Sequence, residues 1–206
     1  MIRHLLMAFL SVALLLPMGV RAQDSEPEAL VRNVTEDVLS VLRQDKALQA
    51  GDRQRAMKLI EDKIAPHFDF QRMSGLAVGR GWREADETQK QAVAKEFRSL
   101  LIRTYANALT AYRDQTIEFK PGTGGGDDAT VRSQIAKPGA KPIALDYQLA
   151  REGGEWKVYD IAIDNVSLVT TYRSSFQAEL SKGGMAGLTK ALQDQNRRGE
   201  VKRVTG

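Results

Sequence analysis

The chain has no cysteine among its 206 residues. The fold must therefore stand on core burial without disulfides, and thiol nucleophiles, thiolate zinc sites and iron–sulfur ligation are excluded together. Histidine is almost as scarce, with His4 and His67 alone, so a histidine-rich metal centre is excluded as well. Charge of one sign is missing too. Thirty basic residues face 26 acidic ones, interleaved along the chain except in the tail Arg197, Arg198, Lys202, Arg203. That tail reads as a solvated, flexible end, and no nucleic-acid partner is expected. Long apolar runs are absent after the first twenty residues, so no second stretch can span a bilayer.

What is present begins at the N-terminus. Arg3 and His4 precede an apolar run from Leu5 to Leu16. Pro17 and Gly19 break the run, and Val20-Arg21-Ala22 offers small or medium residues to a signal peptidase. This is the pattern of a secretory signal, with cleavage expected after Ala22 and export to the periplasm. The removed segment takes Arg3 and Arg21 with it, lowering the net charge from +4 to +2. No cysteine follows the cut, so there is no lipoprotein attachment point. The remaining 184 residues suit one domain, residues 23–206, with a core over about 28–196.

Leu30, Val34, Val38, Val41 and Leu42 recur at helical spacing to about residue 47, and Gly51-Asp52 follows as a break. Met57, Ile60 and Ile64 mark a second helix stopping at Pro66. Residues 69–78 form a short helix ending at Gly79. Asp86 with Gln89 is a capping-box start for the strongest helix, whose apolar face holds Val93, Phe97, Leu100, Leu101, Tyr105, Ala108, Leu109 and Tyr112. The period then changes to two. Ile117 and Phe119 alternate with polar residues before Pro121, as do Val131, Ser133 and Ile135, then Ile143, Leu145, Tyr147 and Leu149, then Trp156 and Val158. Turns are expected at Gly122–Asp128, Pro138-Gly139 and Glu152-Gly153-Gly154. Helical spacing returns with Leu168, Tyr172, Phe176 and Leu180. Gly183-Gly184 interrupts it before a last helix with Met185, Leu188 and Leu192. Helices, an antiparallel meander, then helices make a single α+β domain.

Catalytic signals are few. His67 and Asp69 form an i, i+2 pair that points one way on an extended segment, and they are the one candidate for general acid–base work. Asp127-Asp128 reads as a solvated turn. The glycine run from Gly122 lies between strands and supplies no lysine, so it is a hairpin and not a phosphate loop. No Gly-x-Ser-x-Gly elbow occurs. Asn33-Val34-Thr35 matches a glycosylation acceptor but falls inside a predicted helix. Phe68, Phe70, Met73, Leu76 and Trp82 cluster before the main helix.

Two blocks carry a family resemblance. The first runs Phe68-Asp69-Phe70-Gln71-Arg72-Met73, Leu76-Ala77-Val78-Gly79 and Trp82. It continues with Gln89 and Glu96-Phe97-Arg98-Ser99-Leu100-Leu101-Ile102-Arg103-Thr104-Tyr105-Ala106. The second runs Trp156-Lys157-Val158-Tyr159-Asp160-Ile161, Asn165-Val166-Ser167-Leu168-Val169 and Tyr172-Arg173-Ser174-Ser175-Phe176, closed by Gly183-Gly184 to Leu188. Together they resemble the MlaC family of periplasmic phospholipid-binding proteins, also called toluene-tolerance proteins, over roughly residues 30–195. Asp86 departs from the threonine expected at the cap, and either residue caps a helix.

The resemblance implies an NTF2-like fold whose helices close over a curved antiparallel sheet around an apolar pocket. It implies phospholipid cargo and no cofactor, carried between an outer-membrane lipoprotein–porin complex and an inner-membrane ABC transporter with an MCE-domain protein, in service of outer-membrane lipid asymmetry. The residues' own faces assign a lining. Phe70, Met73 and Leu76 precede the main helix, which gives Val93, Phe97, Leu100, Leu101 and Tyr105. The strands give Val131, Ile143, Leu145, Tyr147, Trp156, Val158 and Ile161. Val166, Leu168, Tyr172 and Phe176 complete it. Two alternatives stay open: an interaction module with a filled core, and an NTF2-like enzyme using His67 and Asp69.

Overall fold

The computed structural model describes the backbone of residues 25–204 and side chains to residue 199; the signal segment and its cleavage site lie outside the described residues. Aspartate starts four of the helices. Asp45, Asp52, Asp69 and Asp86 each accept hydrogen bonds from backbone N–H groups of the first turn, which satisfies donors that have no partner within the helix. The helices so begun are α2 (Lys46–Gln49), α3 (Arg53–Leu59), α4 (Phe70–Val78) and α6 (Glu87–Thr110). At α6 the full capping box forms, with Gln89 returning a bond to the Asp86 N–H. Helix α1 (Glu26–Gln44) starts instead with Pro27 at its first turn. It ends at Gln44, three residues before the predicted helix end, because the Asp45 carboxylate caps α2.

Between α3 and α4 the chain passes through a π-helical turn, Ile60–Ile64, and a 3-10 turn, Ala65–His67, that absorbs Pro66. Gly79, at φ +66°, closes α4 and opens the short α5 (Arg80–Glu84).

Five strands follow as an antiparallel meander in sequence order: β1 (Thr116–Gly125), β2 (Asp128–Ala136), β3 (Ile143–Glu152), β4 (Glu155–Ile163) and β5 (Val166–Ser167). The expected hairpin loop from Gly122 to Asp128 is mostly strand. The register shifts between Lys120 and Thr123, so the ladder continues past Pro121 and only Gly126-Asp127 turn. A second shift at Gln148/Leu149 bends β3 against β4. Strand β5 was not predicted; it follows a tight turn at Asp164 and Asn165, both at positive φ.

Helix α7 (Leu168–Val204) is broken at Gly183 and Gly184, the latter at φ 60°, ψ −155°, as the sequence indicated. The basic segment expected as a flexible, solvated tail continues the helix through Val204, with Arg197 and Arg198 exposed. Arg197 pairs with Asp194, and Asn196 donates to the backbone and side chain of Glu96 on α6, which holds this part of α7 down.

The register sorts the sheet's two faces. Ile117, Ile135 and Ile143 stand side by side, as do Phe119, Ser133, Leu145 and Ile163, then Val131, Tyr147 and Ile161, then Leu149 and Val158. The opposite face carries Glu118, Lys120, Arg132, Gln134, Asp146 and Gln148, linked by ion pairs and side-chain hydrogen bonds and open to water. One face is thus apolar and turned toward the helices, the other polar.

Candidate functional site: the apolar face of the sheet

Apolar side chains collect in three clusters rather than one core. The helical cluster holds Met73, Val93, Phe97, Leu100, Leu101 and Phe176 among α4, α6 and α7, with Phe70, Tyr105 and Tyr172 partly buried against it. Phe97 meets the rings of Tyr172 and Phe176 edge-on, each at 5.0 Å. A second cluster joins α1, α2, α3 and the π-helical turn to Ile102 and Ala106 of α6. The third lies on the sheet, where Val31 of α1 seals Val131, Leu149 and Val158, with Tyr147, Trp156, Ile161 and Phe119 partly buried around them.

The lining assigned from the sequence is therefore divided. Met73, Val93 and Phe97 are fully buried within the helix–helix packing. Leu76, at 39% exposure, and Val166, at 60%, are on the surface and do not line an enclosed slot. Leu76 lies on the outward side of α4 and Val166 follows the β4–β5 turn. Ile143, at 42%, stands at the rim. Trp156 lines a different feature, a polar groove of about 530 Å³ between the first turn of α1, the glycine-rich hairpin and Arg151. Its indole N–H donates to Glu26 at 3.2 Å, and the Arg151 guanidinium lies over its ring at 5.0 Å. Val131, Val158 and Leu168 are buried.

What remains is a gradient along the apolar face. It is sealed where Val131, Leu149 and Val158 meet α1. Toward the other end, Leu145, Tyr147, Ile161, Ile163, Ile135 and Ile117 are only half-buried. The closest packing of α6 is against α3, α4 and α7, while α1, α4 and the start of α7 meet the sheet. That arrangement leaves this stretch of the sheet less covered by helix than the stretch under α1. Ile117, Phe119, Ile135 and Ile163 belong to this face and were not assigned to the lining. The period-two pattern had marked the first three, and Ile163 was missed because the predicted strand stopped at Val158.

Three tyrosines, one on this face and two in the helical cluster, accompany the Arg32 guanidinium, which lies 4.2 Å over the Phe119 ring. Burial pushes the hydroxyls of Tyr147, Tyr105 and Tyr172 above the ordinary tyrosine value, partly opposed by Ser133 at Tyr147 and by Thr104 at Tyr172. They stay protonated at neutral pH and can donate hydrogen bonds without placing charge in an apolar space. The half-covered face offers an apolar surface suited to hydrocarbon.

His67 and Asp69 do not work as a pair. His67 ends the 3-10 turn, so it is not on an extended segment. Burial, then the charge of Lys157, hold its imidazole below the ordinary histidine value, with Glu155 opposing. The Asp69 carboxylate accepts from the Arg72 N–H at 2.8 Å as the cap of α4. On its other side it shares a hydrogen bond with Glu152 and, through that bond and its charge, pushes the Glu152 carboxyl up. Among the described residues no group of three or more His, Asp or Glu side chains converges as a metal site would, and no helix is long and apolar enough to cross a membrane.

The family model described as MlaC protein matches residues 32–194. The intermembrane phospholipid transport system binding protein MlaC of Haemophilus influenzae is 23% identical over 175 residues, covering 82% of each chain. The toluene tolerance protein ttg2D of Pseudomonas putida is 23% identical over 160 residues, 77% of this chain and 74% of that protein. Among solved structures, the phospholipid-binding protein from Ralstonia solanacearum, determined in complex with a phospholipid, superposes with a TM-score of 0.79. It is 38% identical and covers 85% of this chain and 99% of its own. With its apolar-faced meander under a helical layer and a match across nearly the whole described chain, this protein belongs to the MlaC family.

Proposed function

We propose that this protein is a periplasmic phospholipid carrier without catalytic activity, exported by cleavage after Ala22. The observation that carries the reading is the half-covered apolar face from Ile117 to Ile163, in a chain whose relatives bind phospholipid. Acyl chains lie against Leu145, Tyr147 and Ile161, with the head group toward the open end. Cargo is taken from and delivered to an outer-membrane lipoprotein–porin complex and an inner-membrane ABC transporter with an MCE-domain protein.

The energetics fit a carrier. Moving about 14 methylenes of one acyl chain into water costs on the order of 11 kcal/mol. Bilayer and slot are both apolar, so exchange between them is nearly neutral, and direction comes from the partners.

Native mass spectrometry of the mature protein, purified from bacteria without detergent, tests the reading directly. Stoichiometric phospholipid is the expected result. A clean protein that also takes up no lipid from vesicles would leave an interaction module with a filled core. Leu145→Trp then tests the slot: the bulky ring fills the space beside Tyr147 and Ile163, and co-purifying lipid falls while circular dichroism is retained. Unchanged lipid in that variant would overturn the assignment of the slot.

A further inference from the structure

Among the described residues only three large apolar side chains are substantially exposed, Leu76, Ile143 and Val166. Two of them, Ile143 on β3 and Val166 on β5, lie on the same face at the same end of the sheet, with β4 between them. Val166 stands opposite Ile163, Ile163 opposite Leu145, and the Asp164 turn is bonded to both the N–H and the C=O of Ala144, beside Ile143. They form the outer rim of the apolar face at the end α1 does not seal.

Three connections meet at this end. The α6–β1 loop contributes Arg113 and Asp114. The β2–β3 loop contributes Lys137 and Lys141 beside Pro138 and Pro142. The β4–β5 turn contributes Asp164, whose carboxylate accepts from the Ala144 N–H at 3.0 Å. Arg113, Lys137 and Lys141 are all exposed, as are Asp114 and Asp164, so this end combines an apolar rim with one net positive charge, the two lysines standing together on the β2–β3 loop. At the opposite end, the hairpin tips are tied to α1 and α4 through Glu26–Arg151 and Arg72–Asp128 and carry Asp127, Asp128 and Glu152.

We propose that the Ile143–Val166 rim is the surface by which this protein seats transiently on an anionic phospholipid bilayer. The inference rests on the carrier reading. A lipid crossing water between bilayer and slot would expose its chains, so a rim continuous with the slot is where contact shortens that passage. Val166 and Ile143 enter the interfacial region, and the two lysines of the β2–β3 loop meet anionic head groups. The contact area is small, which makes the seating brief and salt-sensitive.

Vesicle flotation of the mature, lipid-loaded protein tests the proposal. Vesicles of phosphatidylethanolamine with phosphatidylglycerol should carry the protein, and vesicles of phosphatidylcholine alone should carry much less. Lys137→Gln and Lys141→Gln should each weaken binding roughly fivefold, the scale of one basic side chain at an anionic surface. Val166→Asp should abolish flotation, whereas Leu76→Asp, the same change at the third exposed site on α4, should leave it unchanged. Native mass spectrometry of each variant reports lipid content separately. Protein that keeps its lipid but ignores both kinds of vesicle would overturn the proposal while leaving the carrier reading intact, and would mean that the rim meets a protein. Equal flotation of Val166→Asp, or equal loss with Leu76→Asp, would also overturn it. Protein that carries no lipid would overturn the carrier reading instead.

Discussion

At the scale of single residues, Gly122 has the least room of the glycines in the sheet. A Cβ built on Gly122 would stand 2.4 Å from the Thr130 carbonyl oxygen across β1 and β2. The register shift beside Pro121 brings the strands that close. Gly122→Ala must therefore push the hairpin apart, and a loss of roughly 1–3 kcal/mol is expected, read as a lowered thermal midpoint. Gly125→Ala is the control, because nothing lies within 4 Å of its Cβ position. Equal midpoints for the two variants would refute the account. The same glycine run reads as a loop in the sequence because glycine is scarce in strands. Nothing local reveals that Thr130 stands across from it.

At the scale of elements, Glu26 fastens the first turn of α1 to β4 and the end of β3. Its carboxyl is held below the ordinary glutamate value by the hydrogen bond from Trp156 first, then by the charge of Arg151. A lowered folded pKa means the fastening is fully present above the ordinary value and is lost as pH falls through the lowered one. The Trp156 indole N–H resonance should therefore shift in acid, with a midpoint below that of an ordinary glutamate. Glu26→Gln should remove the transition. Helix boundaries were largely legible because their signals are local: Asp86 with Gln89, Gly79 after α4, Gly183-Gly184 within α7. That the helix continues past residue 196 was not legible, for the opposite reason. The helix is secured by Asn196 reaching Glu96, one hundred positions away.

At the scale of the molecule, three apolar clusters lie where a protein of this size ordinarily closes one. The half-covered face between them makes the stability of the protein depend on cargo. Extracting lipid should lower the thermal midpoint. With free lipid at about 100 times its dissociation constant, binding contributes about 2.7 kcal/mol, or about 5–10 °C for a domain of this length. Calorimetry before and after delipidation checks it, and identical midpoints would mean that lipid does not bind the folded state preferentially.

The amino-acid order by itself determined the secretory signal pattern, the single α+β domain, the meander and most helix limits. Each of these is written in periodicity, caps and breaks that act over a few residues. The family resemblance, carried by residues 68–106 and 156–188, pointed to phospholipid. Only the tertiary structure decided which apolar residues are sealed and which are left uncovered. Met73, Phe97, Leu145 and Val166 look alike in the sequence, since each sits on the apolar side of its own element. Whether such a side chain is sealed, half-covered or exposed depends on which neighbouring element lies over it: α1 reaches Val131 and Val158, while the rim at Ile143 and Val166 is left uncovered. That choice belongs to the packing of distant segments and has no local signature.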